Sequence, residues 1–400
     1  MSRSPLKSKR FGIFIAAAFI GPGTVTTCAM AGVDFGIELL WALTLSIFIT
    51  YYFQEVAARM GWVLKADLDQ IIKKHISHRF WRSLILGLIL VAIFFGNSVY
   101  QGGNLSGTLL GLQSLTATDQ YKFLMLLLIG AMVLFFLWNE RFEAIKRFLI
   151  LMVFLMGVSF TITAITLGSD LINILKASLL PSLSTENTFM VIALVGTTVV
   201  PYNLFLHTSL VNRSHAQISG LKALRIDTAV SIAVGGLISM AILITAASVQ
   251  ADSIRSVVDL IALLEPSFGQ ASRFIIGFGL FAAGLTSSIT APLAAGLVAQ
   301  SVLKSTPYDH KYSSRYASVA VFLIGFIIAL VGSAPVEIIK FAQIANGLLL
   351  PIIASTLLIL SSKTSVMGAY ANSPFQRAIG SLLVLFTLLL GGMALYKTLM

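Results

Sequence analysis

The chain alternates long apolar stretches with short segments that hold most of its charged residues. Eleven stretches are long enough to cross a bilayer, for which a helix needs about 20 mainly apolar residues. They cover residues 11–33, 37–59, 83–112, 122–138, 148–168, 189–212, 226–249, 273–302, 316–333, 338–361 and 377–397. This pattern predicts an all-α integral membrane protein with about 11 transmembrane helices.

Composition and charge agree with a membrane protein. Hydrophobic residues make up 57% of the chain and charged residues 11%, whereas soluble domains contain roughly 25% charged residues. If the N-terminus is cytoplasmic, 21 of the 27 Lys and Arg residues lie in cytoplasmic segments, as is usual for membrane proteins. We therefore expect an inner-membrane protein with its N-terminus inside and its C-terminus outside, and no nucleic-acid partner.

The sequence carries no recognisable motif for catalysis or for a cofactor. It has no nucleophile–base pair, metal triad or phosphate-binding loop of the usual kinds. The single cysteine, Cys28, excludes an intramolecular disulfide. We therefore expect neither an enzyme nor a resident cofactor.

Two predicted spans contain residues that interrupt a helix. Gly21-Pro22-Gly23 lies within the first span, and Gly196 and Pro201 lie near the centre of the sixth. Each of these spans opens a set of five, and an odd number of spans inverts the second set. We therefore expect a 5+5 inverted repeat with helices 1 and 6 broken at the bilayer midplane. The predicted units are a cytoplasmic segment 1–10, a first repeat 11–168, an outer loop 169–188, a second repeat 189–361 and an eleventh helix 376–397.

The paired breaks predict a binding site. Proline lacks an amide hydrogen and glycine permits non-helical backbone, so carbonyl groups beside each break lose their helical partners. Such groups need protein, water or a ligand in the bilayer, and carbonyl ends favour a cation whereas helix N-termini favour an anion. The alternative interpretation is that both prolines only kink packed helices. The matched positions of the two breaks favour the binding site. The candidate binding residues are Gly21, Gly23, Thr24, Thr197, Val200, Tyr202 and Asn203, with Thr24 and Thr197 as candidate metal contacts.

Two short motifs resemble one family of transporters. "PYNLFLHTSLV" at 201–211 is similar to Pro-His-Asn-Leu-Tyr-Leu-His-Ser-Ala-Leu-Val in the natural-resistance-associated macrophage protein (NRAMP) family, and "QEVAARMG" at 54–61 is similar to its Gln-Arg-Leu-Ala-Ala-Arg-Leu-Gly. The resemblance implies a LeuT-type fold and transport of divalent metal ions. The predicted eleven spans fit this family along essentially the whole chain.

The metal ligands of that family do not carry over. Its first-span Asp-Pro-Gly-Asn stands here as "GPGT" at 21–24, and its Ala-x-x-Met-Pro-His stands as "TTVVPY" at 197–202. Ser98 and Gln101 stand at the positions of its third-span carboxylates, whereas His207 matches its second histidine. All sixteen acidic residues of this chain fall in loops or near the ends of spans, and Arg59 is the expected partner of Glu55. Proton coupling through a buried acid is therefore not expected.

Neutral polar residues remain along the predicted route. The secondary pathway candidates are Ser98, Gln101, His207, Gln343 and Asn346, and hydrogen bonds between packed helices are their alternative role.

Together these features predict a secondary transporter of divalent cations. A wide cavity of hydroxyl, amide and carbonyl groups suits hydrated Mg²⁺, which sheds water reluctantly, and Mn²⁺ is the other preferred cargo. The resemblance to NRAMP extends to the magnesium-carrying branch of that superfamily, which has an altered site. Transport of an amino acid or another small organic solute is the alternative, because two helix N-termini and two carbonyl ends also suit a zwitterion.

Overall fold

The computed structural model describes residues 20–116, 118, 120–138, 143–167, 170–213, 220–249, 253–302, 310–332 and 335–399. In this part of the chain the regular structure is helical. The helices are α1 Pro22–Phe35, α2 Leu40–Leu64, α3 Leu68–His75, α4 Arg79–Thr116, α5 Lys122–Trp138, α6 Glu143–Thr166, α7 Leu171–Leu179, α8 Thr188–Thr198, α9 Pro201–Arg213, α10 Leu221–Ser248, α11 Val257–Ala262, α12 Glu265–Phe268, α13 Ala271–Val302, α14 His310–Val331, α15 Pro335–Ser362, α16 Thr364–Met367 and α17 Pro374–Leu399.

The long helices follow the predicted spans. Eight described helical segments are long and apolar enough to cross a membrane, with Thr188–Arg213 taken as one segment, and Lys122–Trp138 is a shorter apolar helix. Helix α2 occupies the second predicted span, and α1 occupies the second half of the first. The chain is therefore an integral membrane protein in which each predicted span contains a helix.

The helices form two groups, and both α6 and α15 contact members of each group. Helices α1, α2, α8, α9 and α10 pack against one another, and α4, α5, α13 and α14 form the other group. These groups hold spans 1, 2, 6 and 7, and spans 3, 4, 8 and 9, so corresponding members of the two sets of five lie together. Helix α15 contacts α1 and α8 on one side and α4 on the other.

Small residues bring α4 and α13 close together. A Cβ atom on Gly111 would overlap the backbone at Phe281, and one on Gly284 would overlap Thr108. Glycines at such positions let two helix backbones approach directly, as is common between membrane helices. This contact makes α4 and α13 the central pair of their group.

Both predicted breaks coincide with the ends of helices. Helix α8 ends at Thr198, Val199 has φ −98° and ψ 71°, and α9 begins at Pro201. Helix α1 begins at Pro22, after Gly21 in extended backbone with φ −86° and ψ 172°. The first half of the first span, residues 11–19, lies outside the described residues. The sixth span is thus two helices, and the described part of the first starts at its proline.

Candidate functional site

The two breaks meet through a pair of threonines. The Oγ1 atom of Thr24, in the first turn of α1, lies 3.1 Å from Oγ1 of Thr197, in the last turn of α8. Both side chains are buried, with 2% and 1% of their surface exposed. The two candidate metal contacts are therefore adjacent, although 173 residues separate them in the chain.

Two tyrosines form one wall of this region. The rings of Tyr100 on α4 and Tyr202 on α9 have centroids 5.6 Å apart, and they pack with Val200 in one buried cluster. A Cβ atom on Gly21 would lie 3.4 Å from the hydroxyl of Tyr100 and 3.6 Å from that of Ser287. The structure therefore brings spans 3 and 8 to the first break, and it adds Tyr100 and Ser287 to the candidates.

Gln343 on α15 closes the opposite side of the breaks. Its amide group lies against Gly23, where an added Cβ atom would overlap it, and its backbone carbonyl lies equally close to Gly196. A side chain at Gly196 would push the backbone of α15 away, whereas one at Gly23 would displace the Gln343 side chain. Gln343, placed among the secondary candidates from sequence, thus directly contacts both broken spans.

Several buried polar atoms in this region have no hydrogen-bond partner among the described residues. They include Oε1 of Gln343 and Oδ1 of Asn203. An unpaired buried acceptor costs roughly 1–3 kcal/mol, so these oxygens favour a ligand or water. They are uncharged acceptors, which suit a hard cation or its hydration shell.

The backbone adds electrostatic polarity to the site. Both α1 and α9 begin with proline, so two helix N-termini with partial positive charge end at the breaks. The carbonyl end of α8 carries partial negative charge, and Pro201 has no amide hydrogen to donate to the Thr197 carbonyl. The site therefore offers both signs of partial charge.

The secondary pathway candidates differ in the contacts that they make. The Ser98 hydroxyl donates to the Phe94 carbonyl of its own helix at 2.7 Å, which is the usual role of a buried serine. Nδ1 of His207 lies 2.7 Å from Oε1 of Gln54, whereas its Nε2 has no partner among the described residues. Asn346 lies in α15, and its side chain is outside the described residues. Of these three, His207 joins spans 2 and 6.

Gln101 has a specific structural role that its sequence position does not reveal. Pro292 lies inside α13 and cannot donate to the carbonyl of Ser288, four residues earlier. The Gln101 side-chain amide donates to that carbonyl instead, at 3.0 Å. One turn away, Asn97 donates to the Ala291 carbonyl at 2.9 Å. These two amides join α4 to α13.

The candidate residues are enclosed by protein. All seven candidate binding residues are buried, so the wide cavity expected around the breaks is not open in this conformation of the described residues. The described residues contain no group of three or more His, Cys, Asp or Glu that could hold a metal. A hydrated ion would require the region to open.

Comparison with known proteins identifies the family. The sequence model described as natural resistance-associated macrophage protein-like matches residues 12–397. The chain belongs to this family. The resemblance read from "PYNLFLHTSLV" is thereby confirmed.

Curated NRAMP relatives match along almost the whole chain. A protein of Aeromonas hydrophila named divalent metal cation transporter MntH is 25% identical over 386 residues, which cover 93% of this chain and 91% of the relative. A protein of the same name from Klebsiella pneumoniae is 26% identical over 393 residues and covers 95% of this chain and 91% of its own.

Solved structures confirm the LeuT-type fold. The Eremococcus coleocola manganese transporter, in a mutant form, superposes with a TM-score of 0.77 at 18% identity, covering 95% of this chain and 84% of its own. MhsT in complex with L-phenylalanine superposes with a TM-score of 0.65 at 16% identity. The match covers 98% of this chain and 100% of the MhsT chain. The predicted fold class is therefore correct for this NRAMP protein.

Proposed function

We propose that this protein is a secondary transporter of divalent metal cations, with Mg²⁺ and Mn²⁺ as preferred cargo and no obligatory proton coupling. Family membership supports the cargo class, since curated relatives are named divalent metal cation transporters. The same relatives are named transporters, which supports a transporter rather than an enzyme.

The observation that carries the proposal is the contact between Thr24 and Thr197 across the two breaks. The site around it combines their hydroxyls with the unpartnered side-chain oxygens of Gln343 and Asn203. Mg²⁺ takes oxygen ligands and keeps several of its waters, so neutral oxygens can hold it through the hydration shell. Thr24 and Thr197 then bind the ion or its waters when the region opens, and the breaks at Gly21 and Gly23 supply backbone groups.

Neutral side chains at the third-span positions support transport without obligatory proton coupling. Ser98 donates within its own helix, and Gln101 donates to the Ser288 carbonyl. Neither side chain titrates near neutral pH, so neither carries a proton through the membrane.

The same proposal includes topology and location. The distribution of Lys and Arg supports a cytoplasmic N-terminus, an outer C-terminus and an inner-membrane location. The proposed repeats, 11–168 and 189–361, flank an outer loop at 169–188 and are followed by the eleventh helix at 376–397.

Flux measurements in proteoliposomes test the proposed function. Vesicles would hold a Mg²⁺-sensitive or Mn²⁺-sensitive dye, with a parallel set holding a pH-sensitive dye, at an inside-negative potential set with valinomycin. Influx of either ion without acidification is the expected result. Acidification that depends on Mn²⁺ would contradict the absence of proton coupling, and no flux of either ion would overturn the proposal.

An organic solute is the second candidate function. The N-termini of α1 and α9 at the breaks suit a carboxylate, and the tyrosine pair Tyr100 and Tyr202 offers an apolar wall. Labelled amino acids in the same vesicles decide between the two. Amino acid uptake without metal flux would show that the protein transports an organic solute and not a metal ion.

A further inference from the structure

A small cleft lies away from the breaks, where α3, α9 and α13 contact one another. Its volume is about 10 Å³, and its lining consists of six apolar residues together with Asp67, Asp69 and Ser209. A volume of roughly 10–15 Å³ holds one water-sized particle. The cleft therefore has room for a single dehydrated ion or one water molecule beside two carboxylates.

Ser209 is the observation that points to a ligand. Its side chain is 4% exposed, and its hydroxyl has no hydrogen-bond partner among the described residues. By contrast, the buried serines Ser159 and Ser239 donate to carbonyls one turn earlier in their own helices, at 2.9 and 3.0 Å. The Ser209 hydroxyl does not make this bond, and Ser209 is one of the residues that line the cleft.

The two carboxylates lie at the start of α3, and hydrogen bonds hold that of Asp67 in place. Asp67 caps the N-terminus of α3 in a reciprocal pair with Gln70, and it accepts a hydrogen bond from Nδ2 of Asn212 at 3.0 Å. Asp69 lies in the first turn of α3 and is 4% exposed. A carboxylate has about four acceptor positions, so Asp67 keeps acceptors beyond these bonds. Two carboxylates and one hydroxyl therefore belong to residues that line the same cleft, and all three are hard oxygen donors.

The cleft lies in line with the breaks along α9. Ser209 follows Tyr202 by seven residues, which is two turns on the same face and about 10 Å at 1.5 Å per residue. Phe205 and Leu206, which lie between them on this face, also line the cleft. The 2–3 loop that contains α3 is cytoplasmic in the proposed topology, so the cleft lies between the central site and the cytoplasm.

We infer that Asp67, Asp69 and Ser209 form a second divalent-cation site, which receives the ion from the central site before it enters the cytoplasm. This inference rests on the proposed transport of a divalent cation. The full negative charges of the cleft attract an ion that the neutral central site holds only through dipoles. Lys73 follows Asp69 by one turn of α3, so a role limited to stabilising this helix is the competing explanation.

Mn²⁺ binding to the purified full-length protein tests the site without transport. Free Mn²⁺ would be followed by its electron paramagnetic resonance signal during titration. We expect two bound ions per wild-type chain and one in the Asp69→Asn and Ser209→Ala variants. Asp67→Asn keeps a good N-cap for α3 and is also expected to weaken the second site. Ser239→Ala, which removes a hydroxyl bonded within its own helix, is the matched control and should bind two ions.

Transport in proteoliposomes provides the second measurement. The Asp69→Asn and Ser209→Ala variants should reduce the maximal Mn²⁺ influx about fivefold or more, with the half-saturating external concentration unchanged, because the outer approach is intact. Ser239→Ala should match the wild type. If Asp69→Asn does not yield a folded protein, the stoichiometry and influx of Ser209→Ala and Asp67→Asn test the site instead.

Failure of this site differs from failure of the proposed function. Normal wild-type transport with variants that match it in stoichiometry and maximal rate overturns the second site alone. Loss of one bound ion in the variants, in a wild-type protein that transports no metal, supports a cation site at the cleft but overturns metal transport and the transfer of the ion from the central site.

Discussion

Thr24 and Thr197 touch through their hydroxyl groups at the point where spans 1 and 6 are interrupted. Each lies one turn or less from the end of its helix. Close to each threonine, the chain continues as a helix on only one side. The contact can therefore open when the two helices move apart. The pair therefore combines a closing contact with two candidate cargo ligands.

Replacing both hydroxyls with methyl groups should lower transport and leave the fold intact. We expect Thr24→Val with Thr197→Val to reduce Mn²⁺ and Mg²⁺ influx roughly tenfold, because hydrogen bonds of about 1 kcal/mol are lost at each ligand position. The two single variants should not be additive, since the residues contact each other. Influx in proteoliposomes is the measurement, and Thr50→Val, whose hydroxyl bonds within its own helix, is the control. Wild-type kinetics in the double variant would show that the hydroxyls only pack.

The glycines at the breaks should differ in their tolerance of a side chain. Gly196→Ala places a methyl group against the backbone at Gln343, whereas Gly23→Ala meets the movable side-chain amide of Gln343. Overpacking costs about 1–3 kcal/mol, and backbone yields less than a side chain. Gly196→Ala should therefore lower the melting temperature more than Gly23→Ala, and Gly87→Ala, with open space around it, should not lower it. Equal melting temperatures for the three variants would contradict the described packing.

The positions of the breaks could be predicted from sequence because proline acts locally. Pro201 lacks an amide hydrogen wherever it stands, and α9 indeed begins there. The partners of a break depend on packing between distant spans, for which the sequence carries no period. Tyr100 was missed for this reason, although it directly precedes Gln101 in a polar run of span 3. The Glu55–Arg59 pair, by contrast, follows from helical spacing and is confirmed at 3.1 Å.

Arg59 should be essential for stability, because it joins α2 to the segment before α17. Its guanidinium contacts Glu55, donates to the Tyr370 carbonyl at 2.5 Å and donates to Oδ1 of Asn372 at 2.6 Å. Removing one partner of a buried ion pair costs about 3–5 kcal/mol, and lysine cannot reproduce the planar fork of donors. Thermal unfolding in detergent should show Arg59→Met and Arg59→Lys strongly destabilised.

The matched control for that experiment is Arg225, which bonds the same carboxylate. Its side chain is 41% exposed, and exposed pairs contribute about 1 kcal/mol or less. Arg225→Met should therefore shift the melting temperature much less than Arg59→Met. Similar shifts would mean that the contacts of Arg59 with Tyr370 and Asn372 contribute little.

The proposed topology predicts which loops react with reagents outside the cell. Ser77, in the 2–3 loop, and Thr185, before α8, are both exposed. In a Cys28→Ala background, a membrane-impermeant maleimide should label Thr185→Cys in intact cells and label Ser77→Cys only after permeabilisation. The reverse pattern would invert the orientation derived from Lys and Arg.

The amide of Gln101 should matter only while Pro292 interrupts α13. In the wild type, Gln101 donates to the Ser288 carbonyl that proline leaves without a helical donor. Gln101→Leu should therefore destabilise the protein by about 1 kcal/mol or more. In a Pro292→Ala background the backbone amide of residue 292 can donate to that carbonyl, so the same change should cost less. A double-mutant cycle on thermal unfolding measures the difference, and an equal cost of Gln101→Leu in both backgrounds would show that the amide is not the substitute for the missing backbone donor.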